Sequence, residues 1–106
     1  MSQPVIVKVA VPVPLYGLFD YLLPQAVVEQ VQPGCRVLVP FGRKQRVGMV
    51  ISVGRESDFP LARLKPIKTC LDHQPVIPEA MLDLLKWAAT YYQHPLGEVI
   101  FSALPK

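Results

Sequence analysis

One carboxylate lies inside an apolar stretch near the start of the chain. Asp20 stands between Phe19 and Tyr21 in the segment LFDYLLP, residues 18–24. Aspartate is disfavoured in β-strands, and a conflict between local propensity and context tends to mark a functional site. Two interpretations stay open: Asp20 caps a turn or points to solvent, or it accepts hydrogen bonds from the hydroxyl or amino groups of a ligand.

Basic residues are concentrated in the middle of the chain. The formal net charge is +3, but residues 36–68 hold eight Lys or Arg and two acidic residues, so this stretch carries +6 and the rest −3. Such a stretch is typical of contact with a polyanion, and equally of a solvated basic hairpin without a partner. A carboxylate beside these cations can hold the end of a nucleic-acid strand. The acid would accept from a terminal hydroxyl or base N–H, and the cations would contact phosphate.

Motifs for catalysis or metal binding are missing from the sequence. It contains neither the Gly-x-x-x-x-Gly-Lys-Ser/Thr loop that cradles ATP phosphates nor Gly-x-Gly-x-x-Gly. No serine lies in a nucleophile elbow, and the acidic residues form no visible acid/base pair. Cys35 and Cys70 have no partner ligand at zinc spacing, and His73 and His94 are far apart in the chain. We therefore predict a non-catalytic binding module without a metal site and with both thiols reduced.

Length and composition indicate a single small domain over residues 1–106. The chain has 106 residues, of which 51% are hydrophobic, enough for one core. No apolar run approaches the ~20 residues of a membrane span, and the N-terminus lacks the basic region and small-residue cleavage site of a signal peptide. We expect a monomeric, cytoplasmic protein without membrane contact.

The first half of the chain has the period-two pattern of strands. Alternating β-branched residues predict a strand over 5–11, ended by prolines. A second strand over 18–23 would direct Phe19, Tyr21 and Leu23 to one face and Asp20 to the other. Further strands are predicted over 35–41 and 47–53, joined by a hairpin loop over 42–46, and, weakened by a proline, over 64–71.

The period changes to that of a helix after residue 78. Apolar residues recur at helical spacing on one predicted face, namely Met81, Leu84, Leu85, Ala88 and Tyr92. Pro95 is expected to end this helix near His94, and the residues after Pro95 can begin another. Strands followed by a helix predict an α+β, mainly β fold: a small, partly closed OB-like or SH3-like barrel with a C-terminal helical cap.

Five segments together resemble one known family. They are FDYLLP at 19–24, GCRVLVPFG at 34–42, RVGMVISV at 46–53, LKPI at 64–67 and KWAATYYQHPLGEVIFSALP at 86–105. They are similar to the N-terminal 3′-DNA-binding domain of the bacterial PriA (primosomal protein N′) helicase family, over nearly the whole chain. The resemblance implies a module that captures the 3′ end of the nascent leading strand at stalled replication forks, whatever its base. It also implies a fragment of a longer helicase, with ATP, Mg and Zn used only by other parts and no cofactor in this one.

The resemblance also implies a pocket for the terminal nucleotide. The matching positions are Phe19, Asp20, Tyr21, Gly42 and Lys65. We expect Asp20 to accept hydrogen bonds from the terminal base or sugar hydroxyl, and Gly42 to let the backbone approach closely. Lys65 would offer its stem to the base and its charge to phosphate. Phe19 and Tyr21 either stack or shape the pocket, and strand alternation favours a core position for Tyr21.

The predicted hairpin loop and helix suggest further contacts. We name Arg43, Lys44 and Arg46 the hairpin cations, and expect them to contact DNA phosphates in a salt-sensitive way. Expected partners are DNA 3′ ends at forks, the remainder of the helicase chain and, indirectly, primosome proteins. The alternative is a protein-interaction barrel that docks on the helicase body and has only non-specific DNA affinity. Trp87, off the centre of the apolar helix stripe, is a candidate contact with that body.

Overall fold

The fold is a curled five-stranded antiparallel sheet capped by two helices. The computed structural model of the protein describes residues 3–104; Pro105, the end of the resembling segment, lies outside this range. The elements are β1 (Val5–Ala10), β2 (Phe19–Leu23), β3 (Arg36–Phe41), β4 (Lys44–Gly54), β5 (Thr69–Cys70), α1 (Glu79–Tyr92) and α2 (Leu96–Ala103). The strands lie in the order β2-β1-β4-β3-β5. The predicted mainly β fold with a C-terminal helical cap is confirmed.

The two edges of the sheet meet and partly close a barrel. The Leu22 N–H donates to the Lys65 carbonyl at 2.9 Å, and the Ile67 N–H donates to the Leu22 carbonyl at 3.1 Å. The segment then runs into β5, which pairs with β3. The free edge of β2 is thereby paired at Leu22, and Lys65 is carried to the side of β2.

The predicted strand over 64–71 is wrong in extent. Only Thr69–Cys70 form a strand in this region, and Leu61–Arg63 form a 3-10 turn before it. Pro66 makes a single bridge to Leu22, because proline has no N–H to continue a ladder. The segment therefore closes the barrel by two hydrogen bonds instead of adding a full strand.

The sheet is buried on both faces by two separate hydrophobic clusters. Valines of β1, β3 and β4 fill the barrel interior together with Tyr21 and Leu23 of β2. On the outer face, Met49 and Ile51 of β4 pack against residues of the helical cap, including Ile100 of α2. Burial on both faces explains why β1, apart from Lys8, and the central part of β4, residues 47–51, lack polar side chains.

The β3–β4 hairpin is tighter than predicted. Phe41 pairs with Lys44, so the turn consists of Gly42 and Arg43 alone. Gly42 has a φ of 61°, which matches the glycine-first type II′ turn whose twist suits a hairpin. The predicted loop over 42–46 is therefore wrong in extent, because the residues from Lys44 onward already belong to β4.

The predicted helix exists, but it is rotated from the predicted face. Met81 and Leu84, assigned to the packed stripe, are 45% and 56% exposed. The buried positions are Leu82 and Ala89. The helix is apolar around much of its circumference, so periodicity alone allows more than one packed face. Within residues 3–104, no helix is both long and apolar enough to cross a membrane.

Candidate nucleic-acid interface

The five residues predicted for a terminal-nucleotide site line one cavity of about 560 Å³. We name this cavity the Asp20 pocket. Strand β2 supplies Phe19, Asp20 and Tyr21, the β3–β4 turn supplies Gly42, and the closing segment supplies Lys65. Residues from three distant parts of the sequence meet here because the barrel closes between β2 and the segment before β5.

The carboxylate of Asp20 is buried and already paired. Lys8 Nζ donates to Oδ1 at 3.0 Å, and Ser57 Oγ donates to Oδ2 at 2.5 Å. The Asp20 side chain is only 5% exposed. It therefore neither caps a turn nor points freely to solvent. The chain tolerates a carboxylate among apolar residues because two donors compensate for its lost hydration.

Ser57 links Asp20 to the loop that forms one wall of the pocket. Its Oγ also accepts a hydrogen bond from the Phe59 N–H at 3.1 Å. Phe59 lines the Asp20 pocket and is 55% exposed. One hydroxyl thus holds both the carboxylate and the backbone that presents an aromatic wall.

The pocket combines one acid with more than one cation. Among the described residues that line it, Asp20 is the one carboxylate, and Arg63 and Lys65 are cations. A carboxylate has about four acceptor sites on its two oxygens, and each oxygen of Asp20 has one protein donor. Asp20 therefore keeps capacity to accept from a ligand hydroxyl or amine, while the cations favour a nearby phosphate.

The aromatic residues predicted for the pocket play different parts. Tyr21 is 6% exposed, its hydroxyl donates to the Pro40 carbonyl at 2.7 Å, and burial raises the pKa of Tyr21. It is a core residue, as strand alternation indicates. Phe19 is half-buried with its ring edge-on to Phe41, the centroids 5.0 Å apart. Phe59 is more exposed than either, so it offers the larger free aromatic face.

The cations of the basic stretch differ in their surroundings. All three hairpin cations are exposed. Arg36 instead donates from Nε and Nη2 to both carboxylate oxygens of Asp72, at 3.0 and 2.8 Å. These bonds lower the pKa of Asp72, which is buried, and raise the pKa of Arg36. Arg36 therefore holds the fold together and is not free to contact a polyanion.

Several residues around the pocket were not singled out by sequence reasoning. Lys8 interrupts the apolar alternation of β1 and lies directly opposite Asp20 in the β1–β2 register. Pairing the first two predicted strands would have revealed it. Ser57 and Phe59 lie in a loop and Arg63 ends a short 3-10 turn, where neither period nor spacing carries a signal.

Other ligand-bearing groups are sparse in the described part of the chain. Among residues 3–104, no group of three or more His, Cys, Asp or Glu is placed to hold a metal ion. Cys35 is buried and Cys70 half-buried, and both are free thiols. The chemistry of the pocket is therefore that of hydrogen bonds, charge and aromatic surface.

Comparison with known proteins gives one consistent family. Residues 8–105 match the family model described as 3′DNA-binding domain (3′BD). The chain is 49% identical over 100 residues to the replication restart protein PriA of Haemophilus influenzae, covering 94% of this chain and 13% of that protein. It is 34% identical over 102 residues to PriA of Buchnera aphidicola subsp. Schizaphis graminum, covering 96% of this chain and 14% of that protein.

PriA from Bacillus subtilis is 35% identical over 69 residues, which is 65% of this chain and 9% of that protein. The chain spans 13% of the length of PriA from H. influenzae and 14% of that from B. aphidicola. The family match covers nearly all of the chain, including every residue that lines the Asp20 pocket. The chain belongs to the PriA 3′DNA-binding domain family.

Proposed function

We propose that this chain captures the 3′ end of a DNA strand by binding its terminal nucleotide, with a free 3′ hydroxyl, in the Asp20 pocket. In a PriA protein this would hold the nascent leading strand at a stalled fork and position the helicase for primosome assembly and replication restart. The observation that carries the proposal is one cavity lined by a paired carboxylate, two cations and exposed aromatic surface. The module acts without catalysis or a cofactor of its own, as a monomer in the cytoplasm.

The pocket chemistry suits a hydroxyl better than a phosphate at the strand end. Asp20 accepts a hydrogen bond from the 3′ hydroxyl, and a charge-assisted bond of this kind is stronger than a neutral one. A 3′ phosphate in the same position would meet a carboxylate of like charge. Lys65 and Arg63 bind the phosphate that precedes the terminal nucleotide.

Recognition of this kind is independent of the base. Stacking uses the π-face that every base has, and contacts to phosphate and sugar carry no sequence information. Phe59 supplies the exposed aromatic wall, and Phe19 also lines the pocket. Backbone groups at Gly42 approach closely because no Cβ intervenes.

The hairpin cations extend the contact beyond the pocket. They lie exposed at and after the turn whose Gly42 lines the Asp20 pocket. We expect them to neutralise phosphates of the adjoining strand or duplex, since such contacts release counterions and weaken as salt rises. They contribute affinity but no preference for a strand end.

The decisive experiment compares two single-stranded oligonucleotides that differ only in a 3′ hydroxyl or a 3′ phosphate. The wild-type chain should bind the hydroxyl form at least about tenfold more tightly, corresponding to about 1.4 kcal/mol. Asp20→Ala and Lys65→Ala should each weaken end binding, and only the Asp20 change should abolish the preference. Lys68→Ala, which removes an exposed cation outside the pocket lining, is the matched control.

One result would contradict this proposal. Equal affinity of the wild-type chain for both oligonucleotides would refute the role of Asp20. Because Asp20→Ala also deprives Lys8 and Ser57 of their partner, Asp20→Asn is measured beside it and the free energy of unfolding is recorded for both variants. A loss of preference with an intact fold isolates the contact to DNA.

A second candidate function is favoured by the exposed aromatic face of α1. Trp87 and Tyr91 are 59% and 65% exposed and stack with ring centroids 5.1 Å apart, and Tyr92 is similarly exposed. The chain spans 13% of the PriA protein from H. influenzae, so the remainder of such a protein is a candidate partner for this face. The module would then be a docking barrel whose DNA binding is weak and erased by salt. Loss of association with that remainder in Trp87→Ala, with DNA affinity unchanged, would support docking.

A further inference from the structure

A second groove adjoins the Asp20 pocket. It has a volume of about 890 Å³ and lies between the C-terminal end of α1, strand β4 and the segment that leads into β2. Leu18 lines both cavities. We name it the Tyr16 groove and propose that it binds the nucleotides that immediately precede the 3′-terminal one on the same DNA strand. This inference rests on the proposed function of the Asp20 pocket.

The lining of the groove has the composition of a single-strand binding site. Its apolar part comes from Ile51, Ala89 and Leu96, which offer apolar surface to sugar or base. Its polar part includes Lys86 and His94, and none of the described residues that line it is acidic. A polar rim with a cation beside apolar surface is complementary to a phosphate backbone.

Tyr16 supplies an aromatic surface in a defined position. The residue is 68% exposed, yet its hydroxyl donates to the Gln93 carbonyl at 2.5 Å. Gln93 caps α1 with a left-handed backbone, φ 56°, so the acceptor is held at the fixed end of a helix. The tether positions the ring beside the groove without burying it. A base of any type can stack on such a ring, because every base has a π-face.

Lys86 is available for phosphate. Its only ion pair in the described structure is with Asp83, at 3.6 Å and three residues away on the same helix. Both side chains are largely exposed, at 47% and 67%, and exposed pairs of this kind contribute little. A phosphate in the groove can therefore bind the Lys86 ammonium group with little loss of free energy from breaking the pair with Asp83.

The position of the groove favours single-stranded DNA over a protein partner. With the terminal nucleotide in the Asp20 pocket, the strand can leave past Leu18, past Gly42 at the hairpin turn, or past Phe59, which also lines a third cavity of about 580 Å³. The hairpin side carries the exposed hairpin cations, which suit the phosphates of a duplex. The cavity past Phe59 is lined by carboxylates as well as cations, so it is less complementary to a phosphate backbone than the Tyr16 groove. The Leu18 side has a cavity with aromatic and apolar surface, which suits unpaired nucleotides.

The experiment measures the gain in affinity on lengthening the ligand. The 106-residue chain is titrated with a dinucleotide and a hexanucleotide of deoxythymidine, each with a free 3′ hydroxyl. The hexanucleotide should bind at least about tenfold more tightly than the dinucleotide, as expected for one additional stacked base and one additional phosphate contact. Tyr16→Ser and Lys86→Ala should each remove at least half of that gain in free energy and leave dinucleotide affinity unchanged. Lys68 is an exposed cation that lines neither cavity. Lys68→Ala should therefore leave the gain in affinity on lengthening unchanged.

The outcomes separate this inference from the function on which it rests. The groove assignment is overturned if the gain in affinity from dinucleotide to hexanucleotide persists in both groove variants, or falls only in hairpin-cation variants. The proposed function of the Asp20 pocket is unaffected by that result. If the dinucleotide shows no preference for a 3′ hydroxyl over a 3′ phosphate, the proposed function itself fails. If a protein segment but no oligonucleotide occupies the groove, the groove is a docking site and the inference is wrong.

Discussion

Ser57→Ala tests whether the carboxylate in the pocket must be held in place. The Ser57 hydroxyl donates to Asp20 at 2.5 Å and accepts from the Phe59 N–H at 3.1 Å. A hydrogen bond to a charged group contributes about 1.5–3 kcal/mol. Because Ser57 lies on a half-exposed loop and Lys8 still pairs with Asp20, we expect the lower part of that range, about 1.5 kcal/mol of lost stability.

The same change should impair recognition of the strand end. Without the hydroxyl, the carboxylate of Asp20 can turn towards Lys8, and the loop that carries Phe59 loses an anchor. The affinity for a 3′-hydroxyl dinucleotide should fall about tenfold, the equivalent of one hydrogen bond of about 1.4 kcal/mol. The preference over a 3′-phosphate dinucleotide should shrink in parallel, which a purely structural role of Ser57 would not produce.

The assay combines urea denaturation with dinucleotide titration at fixed salt. Ser57→Thr keeps a hydroxyl and should restore most of the preference. Ser102→Ala is the matched control, since Ser102 Oγ only donates to the Glu98 carbonyl on the exposed side of α2. Should Ser57→Ala keep both the stability and the hydroxyl preference of the wild type, the positioning argument for Asp20 would be refuted.

Three further perturbations test the fold and the charge distribution. Arg36 lowers the pKa of Asp72 in the folded protein. The ion pair therefore stabilises the fold above the unfolded carboxyl pKa of about 4, and this stabilisation is lost as the pH falls through the lower pKa of the folded state. Asp72→Asn should thus lower the free energy of unfolding by about 1–2 kcal/mol at pH 7. Urea denaturation should show that the difference between variant and wild type becomes smaller at acidic pH. Gly97→Ala would place a Cβ 1.8 Å from the Val11 carbonyl oxygen and should cost about 3 kcal/mol, whereas Gly54→Ala, with nothing within 4 Å, should have little effect on the urea midpoint. Replacing all three hairpin cations with Ala should make the salt dependence of single-strand binding shallower by up to about 2 in log–log slope; an unchanged slope would exclude them from the interface.

Local patterns in the sequence predicted most of the elements. The alternation over 5–11 anticipated β1, and the opposite faces of β2 were assigned correctly, with Tyr21 inside the barrel. These predictions succeed because strand alternation depends only on neighbouring residues and on one face being buried. Phe19, Tyr21, Gly42 and Lys65 were assigned to the pocket from a family resemblance, and Asp20 also from its apolar context; their contacts with DNA stay a prediction.

Other features depend on contacts between distant segments. The rotation of α1 is set by the sheet surface that it meets, so Leu82 is buried while Leu84 is exposed. The extents of the hairpin loop and of β5 depend on which backbone groups find partners. The ion pair between Arg36 and Asp72 joins residues 36 positions apart. The number of charged residues in the sequence does not predict which of them form a pair.

From its amino-acid sequence alone, the chain is identifiable as a small β-rich domain with a helical end, a basic middle and no nucleotide-phosphate loop. These properties follow from composition and short-range periodicity. The three-dimensional fold, by contrast, pairs Asp20 with Lys8 and Ser57 and brings Lys65 to the same cavity through the closure of the barrel. Side chains that are far apart along the chain acquire a shared chemistry only when backbone hydrogen bonds and core packing bring them together.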